Sequence, residues 1–310
     1  MATHMLEWAR RFAALLFAIS AALVPPSAPG DDRWALLHAA PDWTPPCRVL
    51  SQASVYVTPH QDDEVISLAG GITTDVAAHC DVYLVVMNRG DYSNVGRRLC
   101  NEGRACPTPA ELQASREAEA LESSAALGIP ADHVTFERVD ESAAGYPDQV
   151  DAAWTRIVAR FGQRAIYNSI SWLDRHPGHV SIAYALKYRC EAGTVQVCRF
   201  FQSPLYRPGS PLKHAMPVAP PTPMWLSAPP DAVRRATAAY ARWDPGHGRL
   251  AVGEASVPDQ LAYARTWPGS LVHPDGRSWT PDAHAAALDW LAHNQSLDDA
   301  VFTSVGRVLG

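Results

Sequence analysis

The chain has 310 residues, of which 47% are hydrophobic and 19% are charged, and its formal net charge is −6. This length and hydrophobic content suit one large α/β domain, or one domain with an appendage. The negative net charge argues against a protein that binds nucleic acid through its phosphates. Low charge together with abundant Pro (26) and Trp (10) favours an ordered exported protein with long loops over a disordered chain.

Residues 1–30 have the layout of a secretory signal. Two arginines precede an apolar run over residues 12–24, and a stretch rich in Pro and small residues follows it. The apolar run spans only about 20 Å as a helix, which is too short for a bilayer. We therefore expect a secreted or cell-surface/periplasmic protein without a stable membrane span. A retained membrane anchor is the alternative.

The six cysteines agree with export, because disulfides form in oxidising compartments. Two pairs lie close in sequence around short polar segments and are predicted disulfides: Cys100 with Cys106, and Cys190 with Cys198. The remaining pair, Cys47 and Cys80, could link the start of the domain to the edge of the second strand. A cysteine metal site is the weaker alternative, since no Cys-x-x-Cys occurs.

Strand and helix patterns alternate from residue 54 to residue 204. The predicted strands are Ser54–Pro59, Asp81–Asn88, His133–Val139, Ala165–Ile170 and Gln196–Gln202. The helices predicted between them are Glu64–Ala78, Pro109–Leu127, Gln149–Phe161 and Val180–Glu191. Thr108 and Glu111 form a capping box at the start of the second helix, and Gly128 caps its end. This order predicts an α/β fold: a three-layer, Rossmann-like, mostly parallel sheet with helices on both faces.

After the predicted signal segment, the chain divides at residue 203. Residues 31–203 are predicted to form the catalytic α/β core. Residues 204–310 form a Pro- and Trp-rich C-terminal extension or cap, which we expect to pack on the core. It contains helical patterns at Asp231–Trp243 and near Pro281–His293.

A polar cluster directly follows the first strand. His60 and Asp63 are three residues apart, so both can reach one cation while Asp62 points elsewhere. Asp62 then lies beside a metal ligand without binding, which suits a general base. The alternative interpretation makes these residues helix caps.

A second polar cluster, residues 174–179, follows the fourth strand. Functional sites in open α/β sheets lie at the carboxyl ends of strands, so the two clusters should meet at one edge. His60, Asp63 and His179 then form a set of three ligands that suits Zn²⁺ with an open coordination position, as in hydrolytic sites. Another divalent first-row metal is the alternative.

These motifs resemble the PIG-L or LmbE-like de-N-acetylase family over about residues 54–188. The family's Pro-His-Pro-Asp-Asp-Glu motif corresponds to residues 59–64, and its Gly-Gly pair to residues 70–71. Its Arg-x-x-Glu helix ending in Leu-Gly matches a helix that carries Arg116, and its late His-Pro-Asp-His appears as residues 176–179. No single motif is specific to the family, but the order of the four motifs along the expected elements is specific.

The resemblance implies a zinc-dependent hydrolase that removes an N-acetyl or other N-acyl group from a glucosamine-containing small molecule or glycan. The same three ligands follow from the family pattern. His176 corresponds to the histidine that stabilises the oxyanion, and Asn88 and Arg116 match positions that line the substrate pocket. The alternatives are a deacylase for a non-sugar or secondary-metabolite amide, and a non-catalytic glycan-binding protein that retains the fold.

Two positions depart from the family pattern. Gly178 replaces the acidic residue that steers the neighbouring histidine, and we expect Asp174 to take over that task or the activity to be altered. Gln61 replaces a proline, which we expect to loosen the turn without removing a ligand.

Three further residues have both a functional and a structural interpretation. Trp172 could stack on a sugar or belong to the core. Asp140, at the end of the third strand, could touch the ligand or cap a turn. Arg116 could line the pocket, or could only pair with Glu119 or Asp140.

Overall fold

The computed structural model describes residue 47 and residues 52–91, 93–172, 174, 176–206 and 224–274. The predicted signal segment, residues 1–30, and the helix predicted near Pro281–His293 lie outside the described residues. The strands are β1 Ser54–Thr58, β2 Val82–Asn88, β3 Val134–Val139, β4 Ile166–Ile170, β5 Val197–Gln202, β6 Met224–Ser227, β7 Trp243–Asp244, β8 Arg249–Leu250 and β9 Gly269–Pro274. The α-helices are α1 Asp63–Ile66, α2 Ala69–Ala77, α3 Val95–Asn101, α4 Pro109–Ala126, α5 Tyr146–Phe161, α6 Pro177–Glu191, α7 Pro230–Tyr240, α8 Val252–Ser256 and α9 Pro258–Thr266.

Seven strands form one sheet in the order β3-β2-β1-β4-β5-β9-β6. The pairs among β1 to β5 are parallel, whereas β9 runs antiparallel to both β5 and β6. Helices connect the parallel strands, as crossover connections require. The predicted α/β fold with a mostly parallel sheet is therefore confirmed.

Apolar residues cover both faces of the sheet. On β1, Val55 and Val57 pack into one core cluster with α5 and α6, while Tyr56 packs into a second cluster with α2 and α7. Strands buried on both faces read as continuous apolar runs, which is why β1, β2 and β4 were visible in the sequence.

The predicted strands agree with the structure more closely than the predicted helices do. Helices α5 and α6 begin three residues earlier than predicted, and α7 ends at Tyr240 instead of Trp243. The five predicted strands differ from β1 to β5 by at most one residue at either end, and the Thr108–Glu111 capping box is present. The first helix, predicted as Glu64–Ala78, is instead split into α1 and α2. The break falls at Ser67 and Leu68, and Ser has a low helix propensity. Helices α3, α8 and α9, and the four strands after residue 203, were not predicted.

Both predicted disulfides, Cys100–Cys106 and Cys190–Cys198, are present. Cys47 and Cys80, whose pairing the sequence left open, form a third. Such bonds are typical of extracellular or periplasmic proteins. Among the described residues, no helix combines the length and the apolar character needed to cross a membrane.

Gly70 is the point where α2 touches the late strands. Its N–H donates to Ser270 Oγ at 2.9 Å, and a Cβ built at this position would lie 2.1 Å from the backbone oxygen of Leu226. We expect Gly70→Ala to lower the free energy of unfolding by about 1–3 kcal/mol, because backbone must move to admit the methyl group. The measurement is urea unfolding.

The matched control is Gly96→Ala, since Gly96 lies inside α3 with its nearest neighbours at 3.7 Å or more. Alanine should stabilise that helix by up to about 1 kcal/mol. Equal stability of the two variants would contradict the close approach of α2 to β6 and β9.

Candidate metal centre

Neighbouring parallel strands bring the two polar clusters together. β1 pairs with β4 in register from Ser54 with Ile166 to Val57 with Ser169. The two strands therefore end at one edge of the sheet, where residues 59–62 continue from β1, and where Asp174 and His176 follow β4. Apolar residues keep the strands inside the core, so their polar continuations are the parts that emerge at this edge.

Three donor atoms of the predicted ligands form a small triangle. His60 Nδ1 lies 3.2 Å from His179 Nε2 and 3.5 Å from Asp63 Oδ2, and His179 Nε2 lies 3.3 Å from Asp63 Oδ2. Tetrahedral zinc bonds of about 2.0–2.2 Å hold their ligand atoms about 3.3–3.6 Å apart. The triangle therefore has the size that a zinc ion requires.

A carboxylate lies behind each of the two imidazoles. His60 Nε2 is 2.9 Å from Glu141 Oε2, and His179 Nδ1 is 3.2 Å from Asp174 Oδ1. A carboxylate can only accept, so each of these ring nitrogens carries the proton, and the opposite nitrogen presents its lone pair to the triangle. Carboxylates placed in this way orient metal-binding histidines and raise their basicity. The donor set and its surroundings fit a bound zinc ion.

The electrostatics of the cluster are dominated by these carboxylates. Burial favours a neutral imidazole at His60, but the negative charges of Glu141 and Asp63 outweigh it and raise the pKa to about 10 when no cation is bound. A cation in the triangle would displace the Nδ1 proton and leave a neutral ring with its lone pair on Nδ1. Burial likewise favours a neutral Asp63, but the nearby rings of His179 and His60 lower its pKa to about 2. The site thus holds ionised carboxylates in a buried setting, where a cation is stabilised.

Asp62 adopts an unusual backbone conformation beside the triangle. Its φ is 111°, in the left-handed region that side-chain-bearing residues seldom adopt, and its side chain makes no capping hydrogen bond to α1. Such strain commonly persists at functional sites. The helix-cap interpretation of this side chain is therefore wrong.

The Asp62 carboxyl group is buried, and its neighbours include both a carboxylate, Asp63, and a guanidinium, Arg116. Burial raises its pKa to about 7, with a further rise from Asp63, although the Arg116 guanidinium opposes the change. Arg116 Nη2 lies 3.2 Å from Asp62 Oδ2 and also donates to the carbonyl oxygen of Gln61. These hydrogen bonds, and not pairs with Glu119 or Asp140, are what Arg116 makes in this loop.

Gln61 ties the loop down, contrary to the expectation that it loosens the turn. Its amide donates to the carbonyl oxygens of Asn88 at 3.3 Å and Arg89 at 3.2 Å, and its oxygen accepts from Arg116 Nε at 3.0 Å. The side chain is buried, so these bonds are sheltered from water. An amide here links the end of β1 to the end of β2 and to α4.

His176 lies beside the triangle without being part of it. Its ring centroid is 5.0 Å from that of His60 and 4.7 Å from that of His179. The ring is closely surrounded by protein although 42% of the side chain is exposed, and this desolvation, followed by the charges of those two rings, lowers the pKa of His176 below its ordinary value. Nitrogen atoms of the three histidines lie within 4.8 Å of one another, which makes a three-histidine donor set the competing arrangement.

The other predicted residues divide into near and remote ones. The Asn88 amide lies 3.3 Å from His60 Nε2 and accepts from the Tyr146 hydroxyl at 3.1 Å. Asp140 caps a turn by accepting from Ser142, as one of its two interpretations expected. Trp172 is 0% exposed and packs in the core, so the prediction that it stacks on a sugar is wrong.

Glu141 and Tyr146 were missed because they belong to no motif. Glu141 lies between β3 and α5, and Tyr146 is the first residue of α5, in a segment that the sequence marks only as a polar turn. The one available signal was the absence of an acidic side chain at Gly178, which implies that another carboxylate serves the histidines.

Comparisons with known proteins identify a matching family model and several similar folds. The family model described as PIG-L: GlcNAc-PI de-N-acetylase matches residues 55–189. N,N'-diacetylchitobiose deacetylase from Pyrococcus horikoshii has a TM-score of 0.52 at 14% identity, over 83% of this chain and 98% of that chain. Teicoplanin deacetylase in complex with teicoplanin has a TM-score of 0.51 at 14% identity, over 72% and 97% of the two chains.

The zinc-inhibited form of teicoplanin deacetylase Orf2 has a TM-score of 0.50 at 14% identity, over 72% of this chain and 97% of that chain. No curated protein matches the chain. At such identities the structural likeness establishes the shared fold, while the match of residues 55–189 identifies the family. Residues 55–189 belong to the PIG-L/LmbE-like family of metal-dependent de-N-acetylases, which are hydrolases that act on amide bonds.

Proposed function

We propose that this protein is an exported zinc-dependent hydrolase that removes an N-acetyl or other N-acyl group from a glucosamine-containing substrate. His60, Asp63 and His179 are the proposed zinc ligands. The observation that carries the proposal is their triangle of donor atoms, with sides of 3.2–3.5 Å, beside a buried carboxyl group that caps no helix. When bound, zinc supplies a Lewis acid that polarises the amide carbonyl and lowers the pKa of a coordinated water.

Asp62 is the proposed general base. It takes the proton from the attacking water and later delivers it to the departing amine, as one carboxyl group can do in both half-reactions. A pKa of about 7 suits this double task near neutral pH, and a cation at Asp63 would favour the ionised, accepting form. Arg116, 3.2 Å away, holds the carboxylate in place.

His176 is the proposed oxyanion donor. Its ring N–H would stabilise the negative charge that develops on the amide oxygen as the carbon becomes tetrahedral, a contribution commonly worth about 10²–10³ in rate. The side chain is 42% exposed, so a substrate can reach it from solvent. Asn88, Arg116 and Asp140 remain predicted substrate-binding residues, and Asp174 a predicted support for His179.

Two substrate classes have support. The matching family model is named for GlcNAc-PI de-N-acetylase, and a structural neighbour is a chitobiose deacetylase, which favours an N-acetylated amino sugar. The teicoplanin deacetylases favour a glycopeptide or another secondary metabolite as the second candidate. The three disulfides support the proposed export.

The test is acetate release by the purified chain, with zinc content determined in the same sample. The panel contains N-acetylglucosamine, N,N'-diacetylchitobiose, an N-acetylglucosaminyl lipid and an N-acylated glycopeptide. We expect release from an amino sugar, loss of the activity after chelation, and its return when zinc is added.

The other outcomes separate the alternatives. Release from the glycopeptide alone supports the second substrate class. A chain that holds zinc and binds amino sugars without releasing acetate from any panel member is a glycan-binding protein, and the proposed hydrolysis is then wrong.

A further inference from the structure

The space above Gly178 is filled by a carboxylate from another part of the chain. A Cβ atom built on Gly178 would lie 2.1 Å from Glu141 Oε1 and 3.1 Å from Glu141 Cδ. The Glu141 carboxyl group therefore stands where the first atoms of a side chain at position 178 would project. In the sequence, this position is the one at which the family pattern has an acidic residue.

The same carboxylate faces two of the histidines of the site. Oε2 lies 2.9 Å from His60 Nε2, within hydrogen-bond distance, and Oε1 lies 3.9 Å from His176 Nδ1, an electrostatic contact. Glu141 is mostly buried, so its charge acts in a poorly solvated setting. By accepting the Nε2 proton, it leaves the lone pair of His60 on Nδ1, the atom of the triangle.

A polar framework positions Glu141 although it lies in a loop. Its neighbour Asp140 accepts from Ser142 and pairs with Arg89 at 2.8 Å. On the other side, Tyr146 begins helix α5 and donates to Asn88, whose amide also lies against His60. The loop is thus fixed to the end of β2 at both sides of Glu141.

We propose that Glu141 is a positioning residue that supplies, from the loop after β3, the carboxylate that Gly178 lacks. It orients His60 toward the metal and adds negative charge beside His176. Asp174, which the sequence suggested for this task, instead serves His179 and accepts from the backbone N–H of His176 at 2.8 Å. The proposal rests on the zinc ligands proposed above.

The test moves the carboxylate from one position to the other. Four full-length variants are compared with the parent: Glu141→Ala, Gly178→Asp, the double variant E141A/G178D and the control E141A/G178A. Zinc affinity is measured by competition with a chromogenic chelator, which needs no substrate. The turnover number and KM are then measured at saturating zinc on the panel member that the parent hydrolyses.

We expect Glu141→Ala to weaken zinc binding by about 10–100-fold, the usual effect of losing a carboxylate behind a metal-binding histidine. E141A/G178D should regain most of the affinity, because its carboxylate projects into the space that Glu141 vacates. E141A/G178A places an uncharged methyl group in that space, so its zinc affinity should stay as low as that of Glu141→Ala. Gly178→Asp alone should bind zinc more weakly than the parent, because its Cβ would clash with the Glu141 carboxylate.

Two results would overturn the proposal. If Glu141→Ala binds zinc as tightly as the parent, Glu141 has no role at His60, whereas the zinc ligands and the proposed function stand. If E141A/G178A recovers as fully as E141A/G178D, only packing matters at this point. A parent chain that binds no zinc would overturn the ligand assignment, and the role of Glu141 with it.

Discussion

An Asp62→Asn enzyme should lose activity without losing zinc or stability. We expect the turnover number to fall by about 10²–10⁴-fold, the range that general-base catalysis contributes. Zinc content should equal that of the parent, because Asp62 is not among the proposed ligands. The measurements are acetate release at saturating substrate and zinc analysis of the same sample.

Stability distinguishes this result from general damage to the fold. Burial raises the pKa of Asp62 above its ordinary value, so the ionised carboxylate opposes folding at pH values above that ordinary range. An uncharged amide removes this cost, and the thermal unfolding midpoint should be no lower than that of the parent. Activity gained at the expense of stability is common in enzyme sites.

The control is Glu117→Gln, an equivalent change on helix α4 at a carboxylate that pairs with Arg138 near the surface. It should leave turnover unchanged. If Asp62→Asn retains more than about a tenth of the parent's turnover, the proton is transferred by another group and the proposed mechanism is wrong.

A His179→Ala enzyme should lose both the metal and the reaction. Two remaining ligands cannot hold zinc in a three-ligand catalytic site, and the Lewis acid contributes several kcal/mol to the transition state. We expect stoichiometric zinc to be lost and turnover to fall by at least about 10³-fold. Zinc analysis after dialysis and the acetate assay measure the two effects.

His247→Ala is the matched control, because that side chain is 81% exposed and pairs with Asp244 at the surface. It should keep zinc and full activity. A His179→Ala enzyme that keeps one zinc per chain would show that a donor set without His179 holds the metal.

Much of the fold was predictable because the buried strands have apolar sequences. The apolar runs of β1, β2 and β4 gave their positions to within one residue, and their parallel pairing followed from the helices between them. The site followed from the same fact. His60 directly follows β1 and the loop that leads to His179 follows β4, so their approach needed only the strand order.

The late part of the sheet was not predictable in the same way. β6 and β9 enter at the edge and pair antiparallel, and a Pro-rich segment separates β6 from the core. Short edge strands of this kind carry little periodicity. Gly70 was recognised as part of a motif, but the close approach of Leu226 to it depends on tertiary packing.

Side-chain direction explains the remaining errors at the site. Trp172 lies two residues after β4, and which face it would take could not be read from the spacing; in the structure it points into the core. Glu141 is the opposite case: the sequence carries no functional signal for it, because it lies in a loop without a motif, yet its side chain turns toward His60. Loops carry functional residues without periodicity, so the structure was needed to find it.

The central claim is that two distant segments bind one metal ion through His60, Asp63 and His179. Diffraction data collected at the zinc absorption edge from crystals of the zinc-loaded chain test it most directly. We expect a single anomalous peak within about 2.0–2.2 Å of His60 Nδ1, Asp63 Oδ2 and His179 Nε2. A peak bonded to His176 but not to Asp63, or no peak at this edge of the sheet, would contradict the claim.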